Sequence, residues 1–168
     1  MGDLALGAKV ASNDAMSSGR EHRITMKESS TELRTVSGRC HCGAVQFEVR
    51  IPPVIRVSHC NCSICALTGH VHIIVARDDF TLLSGEADLV AYRFNTGIAK
   101  HLFCRRCGIK SFYVPRSHPD GYSVNLNCVR LPGDIEVIHT HFDGRNWRRN
   151  IAGLIKSHAA SDGGNHQA

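Results

Sequence analysis

The chain has 168 residues, 42% of them hydrophobic and 21% charged, with a formal net charge of +5 and eight cysteines. That length suits one globular domain, and no apolar run approaches the roughly 18 residues that would span a bilayer. Seven thiolates holding two zinc ions would lower the formal +5 by three, which argues against a broad basic face for nucleic acid.

Residues 1–36 are rich in Ser, Thr, Asp, Glu, Lys and Gly without a clear period, and are predicted to be a disordered or weakly ordered arm. Met16 and Met26 are alternative starts within it. Leu4 to Val10 is too broken for a secretory signal, and Asp14 and Glu21 are unlike a mitochondrial presequence. A reducing compartment follows, cytoplasmic with a nuclear location left open, where cysteines favour metal over disulfides.

From Gly38 the texture changes. Val45, Phe47 and Val49 alternate with Gln46 and Glu48, the period of a half-buried strand, and Pro52-Pro53 ends it. Val57 to His59 leads into Cys60, and Val71 to Ala76 reads as a more buried strand. Phe80 to Leu83 and Leu89 to Phe94 flank Ser84 to Asp88, a spacing that predicts a hairpin. His101 to Phe103 and Lys110 to Val114 bracket a cysteine pair, Pro115 to Gly121 is turn-rich, and Tyr122 to Leu126 and Ile135 to His139 complete the strands. The prediction is an all-β (mainly β) domain of short antiparallel strands over 37–158, with a flexible tail at 159–168. Trp147, Ile151, Leu154 and Ile155 share one helical face, which predicts a short C-terminal helix with Asp143 or Asn146 as its cap. Arg145, Arg148, Arg149 and Lys156 fall mostly off that face, as a solvated side would.

The cysteines carry the chemistry. Cys60, Cys62 and Cys65 crowd into six residues, and packing gives no reason for that, since a lone buried thiol behaves as a small apolar group. Cys40-His41-Cys42 and Cys104-Arg105-Arg106-Cys107 are each followed by glycine, Gly43 and Gly108. A glycine there lets the chain turn back with φ above zero and aim backbone N–H groups at the sulfurs. These two pairs are therefore predicted to form one closed, structural four-sulfur zinc site. The triplet supplies three ligands, the number that catalytic zinc usually takes from protein. A closed second site is the alternative, its fourth ligand drawn from Cys128, His59, His70, His72 or His101; as a lone cysteine, Cys128 reads more readily as a packed thiol.

Iron on a four-cysteine site is a weaker alternative. A nucleobase deaminase is rejected, because the required glutamate is missing and Phe103 rather than proline precedes Cys104. Three thiolates make zinc a modest Lewis acid but suit it to an exogenous thiol, and so to attack of that thiol on a small aldehyde or the reverse cleavage. His59, His70, His72 and His101 lie close enough in sequence to move the proton.

Gly38-Arg39-Cys40-His41-Cys42-Gly43, Cys60 to Cys65, and His101 to Gly108 together resemble the glutathione-dependent formaldehyde-activating enzyme family. Phe94-Asn95-Thr96 and Ser111 to Ser117 are similar to its centromere protein V branch. The resemblance implies an Mss4-like zinc-bound β fold and two Zn²⁺ per chain. It implies a structural zinc on Cys40, Cys42, Cys104 and Cys107 and a catalytic one on Cys60, Cys62 and Cys65; His101, the candidate acid–base group, is read from the residues alone. It also implies a carbon–sulfur lyase that joins glutathione and formaldehyde as S-hydroxymethylglutathione. Arg116, or Lys100 with Arg105, are candidates for the thiol's carboxylates, against a plain solvated role for each. The competing expectations are a non-catalytic zinc-stabilised binding module, as in centromere protein V, and a zinc store or redox sensor.

Overall fold

The computed structural model of the protein describes residues 32–153. Two β-sheets enclose its core. The first has three strands in the order β1-β2-β5: β1 (Arg34–Arg39), β2 (Gln46–Ile51) and β5 (Phe80–Ser84). The second has seven in the order β10-β3-β4-β9-β8-β7-β6. Its members are β3 (Val54–Cys60), β4 (Val71–Ala76), β6 (Leu89–Tyr92), β7 (Lys100–Cys104), β8 (Phe112–Val114), β9 (Gly121–Asn125) and β10 (Glu136–Phe142). A short helix α1 (Ser63–Thr68) follows β3, and residues 147–153 are helical. No helix among the described residues is long and apolar enough to cross a membrane.

Period-two alternation does most of the folding work. On β2, Phe47, Val49 and Ile51 are fully buried while Arg50 is exposed. On the large sheet, Val57, Ile73, Val75, Leu102, Phe112 and Val124 meet them from the other side in one cluster. Aromatic rings pin the sheets together: Phe47 lies 5.4 Å from both Phe80 and Phe112, and Phe80 lies 4.4 Å from Tyr122. Truncating a ring buried as Phe47 is costs about 3–5 kcal/mol.

The other face of the large sheet carries different chemistry. Register pairs Tyr92 with His101, His101 with Tyr113, Tyr113 with Ser123, and Ser123 with Ile74. One row of mainly polar and aromatic side chains therefore crosses five strands opposite the core. His72, beside it, faces Ser58 across β3 and β4.

The mainly-β expectation holds, with differences in wiring. Phe80 to Leu83 and Leu89 to Phe94 do not form a hairpin: β5 pairs with β2 in one sheet and β6 with β7 in the other. Aromatic contacts of Phe80 with the core outweigh local closure. The pairing of β10 with β3 is parallel, an exception to the antiparallel rule followed elsewhere. Strand β1 starts at Arg34, inside the stretch assigned to the arm, because it inserts a single apolar side chain, Val36, and shows little period. Residues 1–31 of that arm, the 159–168 tail, and Leu154, Ile155 and Lys156 lie outside the described residues.

Candidate metal centres and the cleft beside them

The first cysteine group assembles from distant segments. Cys40 and Cys42 follow β1, Cys104 ends β7, and Cys107 lies in the turn after it. The Sγ atoms of Cys40 and Cys42 are 3.6 Å apart and those of Cys42 and Cys104 are 3.7 Å apart. Sulfurs at the corners of a zinc tetrahedron sit about 3.8 Å apart for Zn–S bonds near 2.3 Å. The donor set therefore fits zinc. Gly43 (φ 77°) and Gly108 (φ 72°) adopt the left-handed backbone that the sequence predicted. Each closes a tight turn, with Gly43 N donating to the Cys40 carbonyl and Gly108 N to the Cys104 carbonyl. Val45 N–H donates to Cys40 Sγ at 3.3 Å, the expected support for thiolate charge.

The second group is local. Cys60 ends β3, Cys62 caps α1, and Cys65 is buried on that helix. The three sulfurs lie within 4.8 Å of one another, and among the described residues no fourth His, Cys, Asp or Glu joins them. Hydrogen bonds from Cys60 and Cys65 hold the Cys62 thiol down to about 2, while both donors are pushed up. Crowded sulfurs share one charge in this way unless a cation lets all three ionise, so these residues also fit a metal ion.

Each proposed fourth ligand is placed elsewhere. Cys128 sits in a 3₁₀ turn in contact with the first group's surroundings, beside Ser111. His59 pairs with His139. His70 and His72 are buried, and both contact Ser123 Oγ, at 3.2 and 2.8 Å. His101 is buried with its ring stacked on Tyr113 at 4.7 Å.

The triplet forms one end of a cleft of about 890 Å³. His72, His101 and Tyr113 line its floor, and Phe94 to Thr96 and Pro115 to Ser117 its wall. Burial pushes the imidazoles of His72 and His101 down to about 4, so both are neutral at pH 7. The Nε2 atom of His72 and the Nδ1 atom of His101 have no protein partner.

The segment after β10 borders the cleft beside the thiols. Asn61, between two of the thiols, donates to Asp143 at 3.0 Å and accepts from Arg145 N at 3.1 Å. Asp143 thus anchors this loop; it also accepts from the Asn146 amide at 2.7 Å. Trp147 lies under the Arg116 guanidinium, 3.9 Å from ring centroid to Cζ. Arg145, Arg148 and Arg149 are exposed, as the solvated side expected for them requires, and they also line the cleft. Arg116 is placed there as well, whereas Lys100 and Arg105 do not line it. Helical periodicity placed Arg145, Arg148 and Arg149 off the apolar face but could not show that they border the same cleft as the thiols.

Lys110 was missed by sequence reasoning. It is 3% exposed, its Nζ has no hydrogen-bond partner, and it lies 4.8 Å over the Tyr113 ring. Burial lowers its pKa from the usual lysine value, opposed by the nearby Cys65, Cys62 and Cys60. Nothing in the sequence separates this lysine from a surface one.

A mainly-β frame holding two thiol groups that could each hold a metal ion, one of them opening on a cleft, defines a small cysteine-rich protein. Comparison with known proteins narrows the class. A profile described as glutathione-dependent formaldehyde-activating enzyme matches residues 35–142. A Halomonas elongata protein named "Putative glutathione-dependent formaldehyde-activating enzyme" is 27% identical over 116 residues, covering 61% of this chain and 74% of its own. A Rhodobacter sphaeroides protein of known crystal structure is 36% identical, with a TM-score of 0.52, covering 62% of this chain and 99% of its own. The chain belongs to the glutathione-dependent formaldehyde-activating enzyme family. The comparisons stop short of the centromere protein V branch, although both stretches that carried that likeness contribute to the cleft wall.

Proposed function

We propose that the protein is a zinc-dependent carbon–sulfur lyase-type enzyme that joins a small aldehyde to a small thiol and cleaves the adduct. Glutathione and formaldehyde are the pair its family suggests. The observation that carries this reading is the triplet itself: three thiols with no fourth side-chain ligand among the described residues, in a cleft bordered by Arg116, Arg145, Arg148 and Arg149. We assign one zinc to Cys40, Cys42, Cys104 and Cys107 as a structural ion and a second to Cys60, Cys62 and Cys65. Zinc bound at the triplet supplies Lewis acidity that favours ionisation of an incoming thiol while leaving its sulfur nucleophilic.

The chain's own residues do the rest. Glutathione carries two carboxylates and one ammonium, and guanidinium groups bind carboxylates through paired hydrogen bonds. Trp147 holds one of them, Arg116, by stacking. The floor handles the proton. Ser123 Oγ contacts both His70 and His72 but has one proton to give. We assign that proton to His70, so that His72 Nδ1 donates to Ser123. His72 Nε2, buried and without a protein partner, is then a bare acceptor on a side chain that lines the cleft.

In the forward direction His72 Nε2 takes the thiol proton, the sulfur attacks the aldehyde carbon, and the carbonyl π pair moves to oxygen. His72 returns the same proton to that oxygen, giving a hemithioacetal with nothing oxidised or reduced. His101, stacked on Tyr113, shapes the aldehyde end of the floor. The test is exchange NMR on glutathione and formaldehyde at equilibrium with the zinc-loaded protein. The expected result is interconversion faster than in buffer with an equal amount of free zinc; equal rates would overturn the proposal.

A further inference from the structure

Outside the cleft, the parallel pairing of β3 with β10 sets three histidines side by side. His141 is the register partner of His59, and His139 precedes it by two residues on the same side of β10. His59 Nε2 lies 2.9 Å from His139 Nδ1, and its ring centroid is 5.2 Å from that of His139 and 5.3 Å from that of His141. His139 and His141 are exposed and His59 is half-buried. The cluster is separate from the thiols. Ser58 and Cys60 line the cleft, and alternation turns His59 to the other side of β3, the side that carries the buried Ile55 and Val57.

We propose that His59, His139 and His141 form an exchangeable site for a divalent first-row cation, in addition to the two thiol centres. Two histidines at i and i+2 on a strand, with a third on the neighbouring strand, converge three imidazoles on one point without any change of backbone. Nitrogens bound to one tetrahedral zinc lie about 3.3 Å apart for Zn–N bonds near 2.0 Å. The 2.9 Å between His59 and His139 is already close to that separation. His141 completes the set by a side-chain rotation, which costs little for an exposed ring. Imidazole donors suit zinc, nickel and cobalt, whereas calcium and magnesium require oxygen. Imidazole donors, two of them on exposed rings, leave the metal more easily lost than four thiolates do. Such an ion would clasp the ends of β3 and β10, the strands that lead into Cys60 and into the Asp143 loop.

The experiment is a zinc titration of the full chain, reduced and already loaded at its thiol sites, followed by calorimetry and by metal analysis after desalting. One further zinc ion is expected to bind with a dissociation constant of about 1–10 µM, and His139→Gln and His141→Gln should each weaken it about tenfold. Thiol-bound zinc should be the same in all three proteins, and so should the exchange rate of the glutathione–formaldehyde adduct, which keeps this result separate from the lyase assignment. The chain has 11 histidines, so the substitutions are what locate the ion. No additional zinc bound below 1 mM, or binding that both substitutions leave unchanged, would overturn the proposal.

Discussion

A Cβ added to Gly144 would lie 2.4 Å from Cys60 Sγ and 3.0 Å from Cys62 Cβ. The backbone of the Asp143 loop therefore presses directly on the thiol triplet, and the Asn61 hydrogen bonds to Asp143 and Arg145 hold it there. A methyl group at this point must displace either the loop or the Cys60 side chain, one of the three candidate metal ligands. Gly144→Ala should speed metal loss from the triplet to a chelator, leave the slower loss from the four-sulfur group unchanged, and cost about 1–3 kcal/mol of stability. Two-phase chelator kinetics with unaltered phases would show that the loop does not brace the site.

The two cysteine groups should fail differently when cut. Cys104 is fully buried and its sulfur meets Cys42 across 62 residues of sequence, so a metal there closes a long loop between the sheets. Cys104→Ser should lower the thermal midpoint by more than about 10 °C, the shift expected for the loss of a few kcal/mol in a domain of this size. Cys62→Ser should shift it by only a few degrees, since its group spans one turn of chain, while lowering adduct exchange by about a hundredfold or more. Equal thermal losses would contradict the division between a structural and a reactive centre.

Lys110 places a cation with no hydrogen-bond partner near three thiols. A buried ion pair replaced by an apolar group often leaves stability unchanged, but removing one charge exposes its partner. A triplet of thiolates on zinc carries net negative charge, which Lys110 offsets. Lys110→Met is thus expected to fold normally and to hold zinc at the triplet about tenfold less tightly, measured by chelator competition, with Lys110→Arg retaining more of the affinity. Tight zinc binding in Lys110→Met would remove this role.

The buried histidines should mark the stability profile. Burial holds His70 well below its usual 6.5, so below that pH the unfolded chain takes up a proton that the folded chain refuses. Stability must then fall as pH drops from 6.5, by up to about 1.4 kcal/mol per pH unit for this one group. His70→Asn should have a shallower acid limb than the parent, measured by denaturant unfolding at pH values where zinc is retained. Parallel limbs would mean that His70 is not kept neutral by the fold.

Part of this was legible in the residues. Phe47, Val49 and the buried β4 run announce themselves by period, and Gly43 and Gly108 behind their cysteine pairs announce the turns, because both signals are local. What the chain hides is register between distant segments. The parallel meeting of β3 and β10 joins residues about eighty apart, and it alone creates the His59–His139–His141 cluster and carries the Asp143 loop to the thiols. Strand β1 offered one apolar side chain, too few for a period, and the split of β5 from β6 was decided by ring packing in the core. Lys110 reads as an ordinary charge until Tyr113 and the thiols surround it.

The most direct test is metal release from fully reduced, cleanly purified protein. Two tightly held zinc ions per chain are expected, leaving in two phases well separated in rate, and glutathione should slow the faster phase alone. Fewer than two ions, or a single phase indifferent to glutathione, would contradict the assignment of a thiol-binding zinc to Cys60, Cys62 and Cys65.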